Sequence, residues 1–172
     1  MGNLLDYLAW RGDLSLGLVP FGPVDGLILS ALSYVHFDGL VPEGPDASVP
    51  LGRAAEHYLA LPSHRRGRCR CEADLSLLRA LAASPRFARL ELCARADRFV
   101  PREETQFAAL TALLEDGSAY LAFRGTDGTL VGWKEDFNLS FLDVVPAQLE
   151  AAEYIQAVSR AFPGPMRLGG HS

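Results

Sequence analysis

The sequence predicts an α/β protein: a helical segment over residues 1–85, followed by a sheet-building segment over residues 86–172. Three observations carry this. The first half shows apolar residues at helical spacing between Gly and Pro punctuation. Around residue 90 the pattern changes to short apolar runs bounded by turn residues, as in buried strands. An amphipathic helix then leads into a last short strand, so the order strand, hairpin, loop, helix, strand is that of an α/β sheet.

Taken in order, Asn3 is placed to cap a helix carrying Leu4, Leu5 and Leu8, closed by Gly12. Pro23 opens a second helix, with Leu27, Leu32 and Val35 near helical spacing. The stretch from Val41 to Asp46 holds two prolines and a glycine and reads as a turn. Beyond Ser48, Leu51, Ala55, Tyr58 and Leu59 define a helix that Pro62 ends. Leu75, Leu78 and Leu81 define another that stops before Pro85. Leu90 to Ala94, Phe107 to Leu114 and Ser118 to Phe123 read as strands, the last two joined through Glu115-Asp116-Gly117 as a hairpin. Pro146 opens a helix with Ala151, Ile155, Val158 and Phe162 on one side. Pro163-Gly164-Pro165 ends it, and Met166-Arg167-Leu168 begins a strand.

Composition narrows the function classes. The chain has 172 residues, 49% hydrophobic and 22% charged, with a net charge of −5, and it lacks the clustered basic surface of a nucleic-acid binder. The one basic run, His64 to Arg70, has acidic residues flanking it along the chain and reads as a solvated loop. The 3 cysteines, Cys69, Cys71 and Cys93, fit neither a disulfide framework nor a zinc site and read as reduced thiols. No signal peptide or transmembrane segment is legible, and the default expectation is a cytoplasmic protein with no metal and no organic cofactor.

The chain ends Leu168-Gly169-Gly170-His171-Ser172. A strand running into Gly-x-Ser is the first half of the nucleophile elbow G-x-S-x-G of α/β-hydrolases. That elbow needs small residues, because the serine sits on a sharp strand-to-helix turn. A side chain at Gly170, two residues before the serine, would meet the neighbouring strand. The tripeptide alone is weak evidence; with the preceding helix and strand, the elbow and a terminal turn read about equally well. None of the 4 histidines, His36, His57, His64 and His171, follows Ser172, where the base of such a triad stands in chain order, so each reads as structural or surface.

A second constellation follows the hairpin: Phe123-Arg124-Gly125-Thr126-Asp127, continuing to Trp133 and Asp136. One reading is a turn in which Thr126 or Asp127 caps a short helix and Trp133 packs. The functional reading has Thr126 donating its N–H to an oxyanion, with Arg124 and Asp136 fixing the loop as an ion pair.

These residues together resemble the class 3 lipases. More closely, essentially the whole chain resembles the Mbeg1-like family of lipase-related proteins. The segments that carry the likeness are Asn3 to Tyr7 with Trp10 to Leu14, Ile28 to Tyr34, Ala122 to Asn138, and Arg167 to Ser172. The resemblance implies the N-terminal part of an α/β-hydrolase sheet, class 3 lipase-like, preceded by a helical segment packed on the hydrolase core. Residues 86–172 would be the first half of that domain, truncated at the elbow. It implies Ser172 as nucleophile and Thr126 as oxyanion-hole residue, with Arg124, Gly125, Trp133, Asp136 and Gly170 supporting the site. The acid and histidine of the triad, and the second oxyanion donor, would lie after Ser172.

The expected function is thus a lipase-like serine hydrolase acting on a small-molecule or lipid carboxylic ester. The fragment as given is expected to be inactive and, with a sheet edge exposed, to be poorly soluble or to self-associate. The alternative is a non-catalytic interaction or regulatory module on a hydrolase scaffold, its helical segment serving as a partner-binding cap.

Overall fold

A computed structural model describes residues 2–66, 71–100, 105–125 and 145–171. Helix α1 (Leu4–Arg11) starts where the sequence predicts. The Asn3 side chain accepts from the N–H groups of Leu5 and Asp6, while the Asp6 carboxylate accepts from Asn3 N–H at 2.8 Å. This reciprocal box satisfies amides that the first helical turn leaves without partners. Helix α2 (Pro23–Leu32) has proline in its first turn, and Asp25 closes its start by accepting the Gly22 N–H at 2.8 Å.

A two-residue strand, β1 (Val49–Pro50), precedes α3 (Leu51–Ala60); α4 (Glu72–Ala83) follows. Strands β2 (Glu91–Val100), β3 (Thr105–Leu113) and β4 (Ala119–Arg124) form an antiparallel meander, with Gly117 at φ +76° in the hairpin between the last two. Helix α5 (Pro146–Ala161) leads to β5 (Met166–His171), which pairs parallel to β4. The sheet is five-stranded and mixed, in the order β1-β2-β3-β4-β5. The α/β class read from the sequence is what the chain adopts.

Strand alternation divides the core in two. Leu110, Ala112, Tyr120 and Ala122 face one side and pack with α1 to α4 around Ile28, Leu32, Tyr58 and Leu78. Ala109, Ala119 and Leu121 face the other and pack beneath Tyr154 and Val158 of α5. The Tyr154 hydroxyl lies 2.7 Å from Thr111 Oγ1, so the two buried hydroxyls satisfy each other where α5 packs on β3.

Strand β2 runs six residues past the predicted end at Ala94. The apolar run stops there because the next stretch, Arg95 to Arg98, carries three charged residues and a single alanine. Its charges are absorbed by ion pairs instead of the core, Arg98 with Glu150 of α5, and Arg95 and Asp97 as described below. A bulge between Cys93 and Ala96, with Ala94 at φ +49°, re-aims the strand at this point. The N–H groups of Ala94 and Arg95 donate to Gly44 and Pro42 carbonyls at 3.2 and 2.9 Å, so the bulge joins the sheet to the loop after α2.

One buried ion pair ties the first helices together. Arg86 grips Asp25 with a fork, Nε to Oδ1 at 2.8 Å and Nη2 to Oδ2 at 2.6 Å, both side chains being fully buried. Its remaining donors reach the carbonyls of Leu14, Val19 and Pro20 at 2.9, 3.0 and 3.3 Å, and that of Ser15 at 3.5 Å. Every face of the guanidinium is thus used, which is what makes a buried charge tolerable. Asp25 holds the proton of Arg86 more firmly than usual, while burial pushes the hydroxyl of neighbouring Tyr7 up.

Candidate functional site

The site is built where β4 and β5 end side by side. The two strands are parallel, with Ala122, Phe123 and Arg124 opposite Gly169, Gly170 and His171. Of the predicted site residues, Arg124, Gly125 and Gly170 are therefore brought together at the carboxyl ends of neighbouring parallel strands. The Gly125 N–H donates to the His171 carbonyl at 2.8 Å and carries the ladder one step beyond β4. Thr126, Trp133, Asp136 and Ser172 lie outside the described residues.

Both glycines stand where a side chain would crowd the neighbouring strand. A Cβ at Gly170 would lie 3.1 Å from the Phe123 carbonyl oxygen, the neighbouring-strand contact expected at that position. At Gly169, which the sequence reading passed over, a Cβ would lie 1.8 Å from the Tyr120 hydroxyl. Tyr120 stands under α2 with its hydroxyl 2.8 Å from Ser30 Oγ, so it cannot easily move aside.

Register sets the rest. Asp97, Ala108, Arg124 and His171 are successive partners across β2, β3, β4 and β5, and so form one row on the face that carries α1 to α4. Alanine at position 108 leaves room for Arg124 to cross β3. Arg124 meets Asp97 with Nη2 to Oδ1 at 3.1 Å and Nη1 to Oδ2 at 3.4 Å. The acid on Arg124 among the described residues is thus Asp97, on β2. The Arg124 side chain is 6% exposed, and its Nε has no hydrogen-bond partner among the described residues.

Asp97 also receives His36 Nδ1 at 3.2 Å and Arg95 Nη2 at 3.4 Å, and Arg95 in turn bonds Asp38. Burial pushes the Asp97 carboxyl up, but the hydrogen bond from His36 and the charge of Arg124 together outweigh it and hold it below the usual carboxylate value. At the other end of the row, Tyr34 donates its hydroxyl to the His171 carbonyl at 2.8 Å and packs against the His171 ring at 5.6 Å, edge-on. The carbonyl that precedes residue 172 therefore accepts from two donors, Gly125 N–H and Tyr34 O–H.

The residues that sequence reasoning missed here are Tyr34, His36, Asp97 and Gly169. Their signal was faint: a polar residue at every second position of Tyr34-Val35-His36-Phe37-Asp38, and a carboxylate between Ala96 and Arg98 in the charged half of β2. His36 was read as structural or surface, and its place is beside Asp97, with Nδ1 3.2 Å from the carboxylate.

Cys93 is the buried thiol beneath α5. Desolvation, helped by Glu91, pushes it up to about 11, so it is held as a thiol at neutral pH. The described residues contain no cluster of His, Cys, Asp and Glu suited to holding a metal ion, and no helix long and apolar enough to cross a membrane.

Two kinds of comparison return nothing: no curated protein and no solved structure matches the chain. A family model described as Mbeg1-like does match, over residues 81–172, from the end of α4 through the whole of β2 to β5.

Proposed function

The chain belongs to the Mbeg1-like family, and we propose that it supplies the nucleophile strand and the oxyanion strand of a lipase-like serine hydrolase on an α/β-hydrolase scaffold. The observation that supports this is the parallel pairing of β4 with β5, which sets Arg124-Gly125 beside Gly170-His171 at one end of the sheet. In open α/β sheets, ligands bind outside the carboxyl ends of parallel strands.

On this reading Ser172 attacks the carbonyl carbon of a carboxylic ester. A base takes its proton as the new Oγ–C bond forms a tetrahedral oxyanion. On collapse the C–O bond to the alcohol breaks and the base returns the proton to the leaving alkoxide. The acyl-enzyme left behind is hydrolysed by water. Thr126, next after Gly125, would present its N–H to the oxyanion. The Gly125 N–H itself is engaged by His171, so the donor falls to the following residue. The substrate would be a small-molecule or lipid ester.

The test is covalent labelling with a fluorophosphonate, on the protein expressed with whatever sequence follows residue 172 in its reading frame. An adduct mapped to Ser172, absent in Ser172→Ala, is the expected result. A folded protein that gives no Ser172-dependent adduct would remove the hydrolase reading and leave the non-catalytic module.

A further inference from the structure

The five residues after the first turn beyond α2 alternate in a way the hydrolase reading does not use. Val35 and Phe37 are buried in the helical core, at 5% and 1% exposure. The three residues interleaved with them each hold a different point of the row at the strand ends. Tyr34 donates to the His171 carbonyl at 2.8 Å, His36 meets Asp97 at 3.2 Å, and Asp38 bonds Arg95, which itself reaches Asp97 at 3.4 Å. Asp97 completes the span by clamping Arg124 with both Nη atoms.

We propose that residues 34–38 form a positioning strap, in which Tyr34 fixes the end of β5 directly and Asp97, held by the strap, fixes the end of β4 through Arg124. The proposal deepens the hydrolase reading and rests on it for its catalytic consequence, since these two strand ends lead into Thr126 and Ser172.

Three physical points support it. The His171 carbonyl has two acceptor sites, and Gly125 and Tyr34 take one each, so the peptide leading to residue 172 is held from the strand side and from the helix side. The Arg124–Asp97 fork is planar and two-point, and therefore fixes orientation as well as distance. The strap is anchored by core packing at Val35 and Phe37, so its polar side chains are presented from a rigid base instead of a free loop. Catalysis by a serine is sensitive to such placement, a displacement of about 1 Å costing on the order of a hundredfold.

The experiment pairs amide hydrogen exchange with fluorophosphonate labelling in Tyr34→Phe and Asp97→Asn. Tyr34→Phe removes a single oxygen and serves as the deciding variant if Asp97→Asn does not fold. The strap predicts that the Gly125 amide exchanges about tenfold or more faster in either variant, while the Thr111 amide in the centre of the sheet keeps its wild-type rate. It also predicts that the maximal rate of labelling at Ser172 falls by about tenfold, with the half-saturating probe concentration unchanged. Exchange at Gly125 unchanged in a folded Tyr34→Phe overturns the strap, as does equal acceleration at Gly125 and Thr111, which marks only general destabilisation. Lack of labelling in the wild type sinks the hydrolase reading instead and leaves the exchange comparison to decide the strap alone.

Discussion

Arg86 shows how much one residue can carry. It is fully buried, forks onto Asp25 and donates to four backbone carbonyls of the loop between α1 and α2. Removing one partner of such a pair leaves an uncompensated buried charge, so Arg86→Ala is expected to lower stability by about 3–5 kcal/mol, measured by urea denaturation. Arg86→Lys should recover little of it, because a lysine has no fork. A second residue-scale prediction concerns Gly169. Gly169→Ala places a methyl on the Tyr120 hydroxyl and is expected to cost about 1–3 kcal/mol or more. The cost should shrink in a Tyr120→Phe background; additive costs would show that the two side chains do not compete for the same space. Asp97 sets a pH dependence. Its folded value lies below that of an unfolded aspartate, about 3.9. Its contribution is therefore fully present above that pH and is lost as pH falls through the folded value. Urea midpoints taken from pH 6 downward should fall less steeply for Asp97→Asn than for wild type, and parallel curves would contradict the ion-pair assignment.

At the scale of elements, the helix starts were legible and the sheet's irregularity was not. Asn3, Pro23 and Pro146 open helices because a cap or a missing N–H suits a first turn, and these effects act within four residues. Asn3→Ala should accordingly cost about 1 kcal/mol in thermal unfolding. The end of β2 was misread because its second half is charged, and only neighbouring elements make those charges acceptable in a strand. The bulge has the same origin. Ala94 takes φ +49° so that β2 can bond Pro42 and Gly44, a conformation that no residue type in Cys93-Ala94-Arg95 advertises. Glycine is at ease there, so Ala94→Gly gains from relieved strain about what it loses in buried methyl contact, and its stability should change by less than about 0.5 kcal/mol. The same substitution at Ala109, in regular strand, should cost about 1–2 kcal/mol. Equal effects at the two sites would argue against strain at Ala94.

At the scale of the molecule, the sheet is shared. Its one face closes the core of α1 to α4 and its other face closes the core under α5. Truncation on either side should therefore move one common transition. Leu78→Ala, at a fully buried position, is expected to cost about 2–5 kcal/mol. Val158→Ala, also buried, should cost about 2 kcal/mol. Both variants should melt in a single step by far- and near-ultraviolet circular dichroism; two separated steps would show two independent units.

The sequence by itself determined the α/β class, the order of the helices and of the strands after residue 90, and the hairpin. All of these follow from local periodicity, turn chemistry and caps, which are properties of a dozen residues at a time. Only the tertiary structure decided that β4 and β5 are parallel neighbours, that Arg124 meets Asp97, and that Tyr34 and His36 reach the same row. Those partners stand 27 to 137 residues apart or depend on strands being aligned in one register. A one-residue slip would turn Asp97 and Arg124 to opposite faces, and that alignment is set by packing both faces of the sheet at once, not by any local run of side chains.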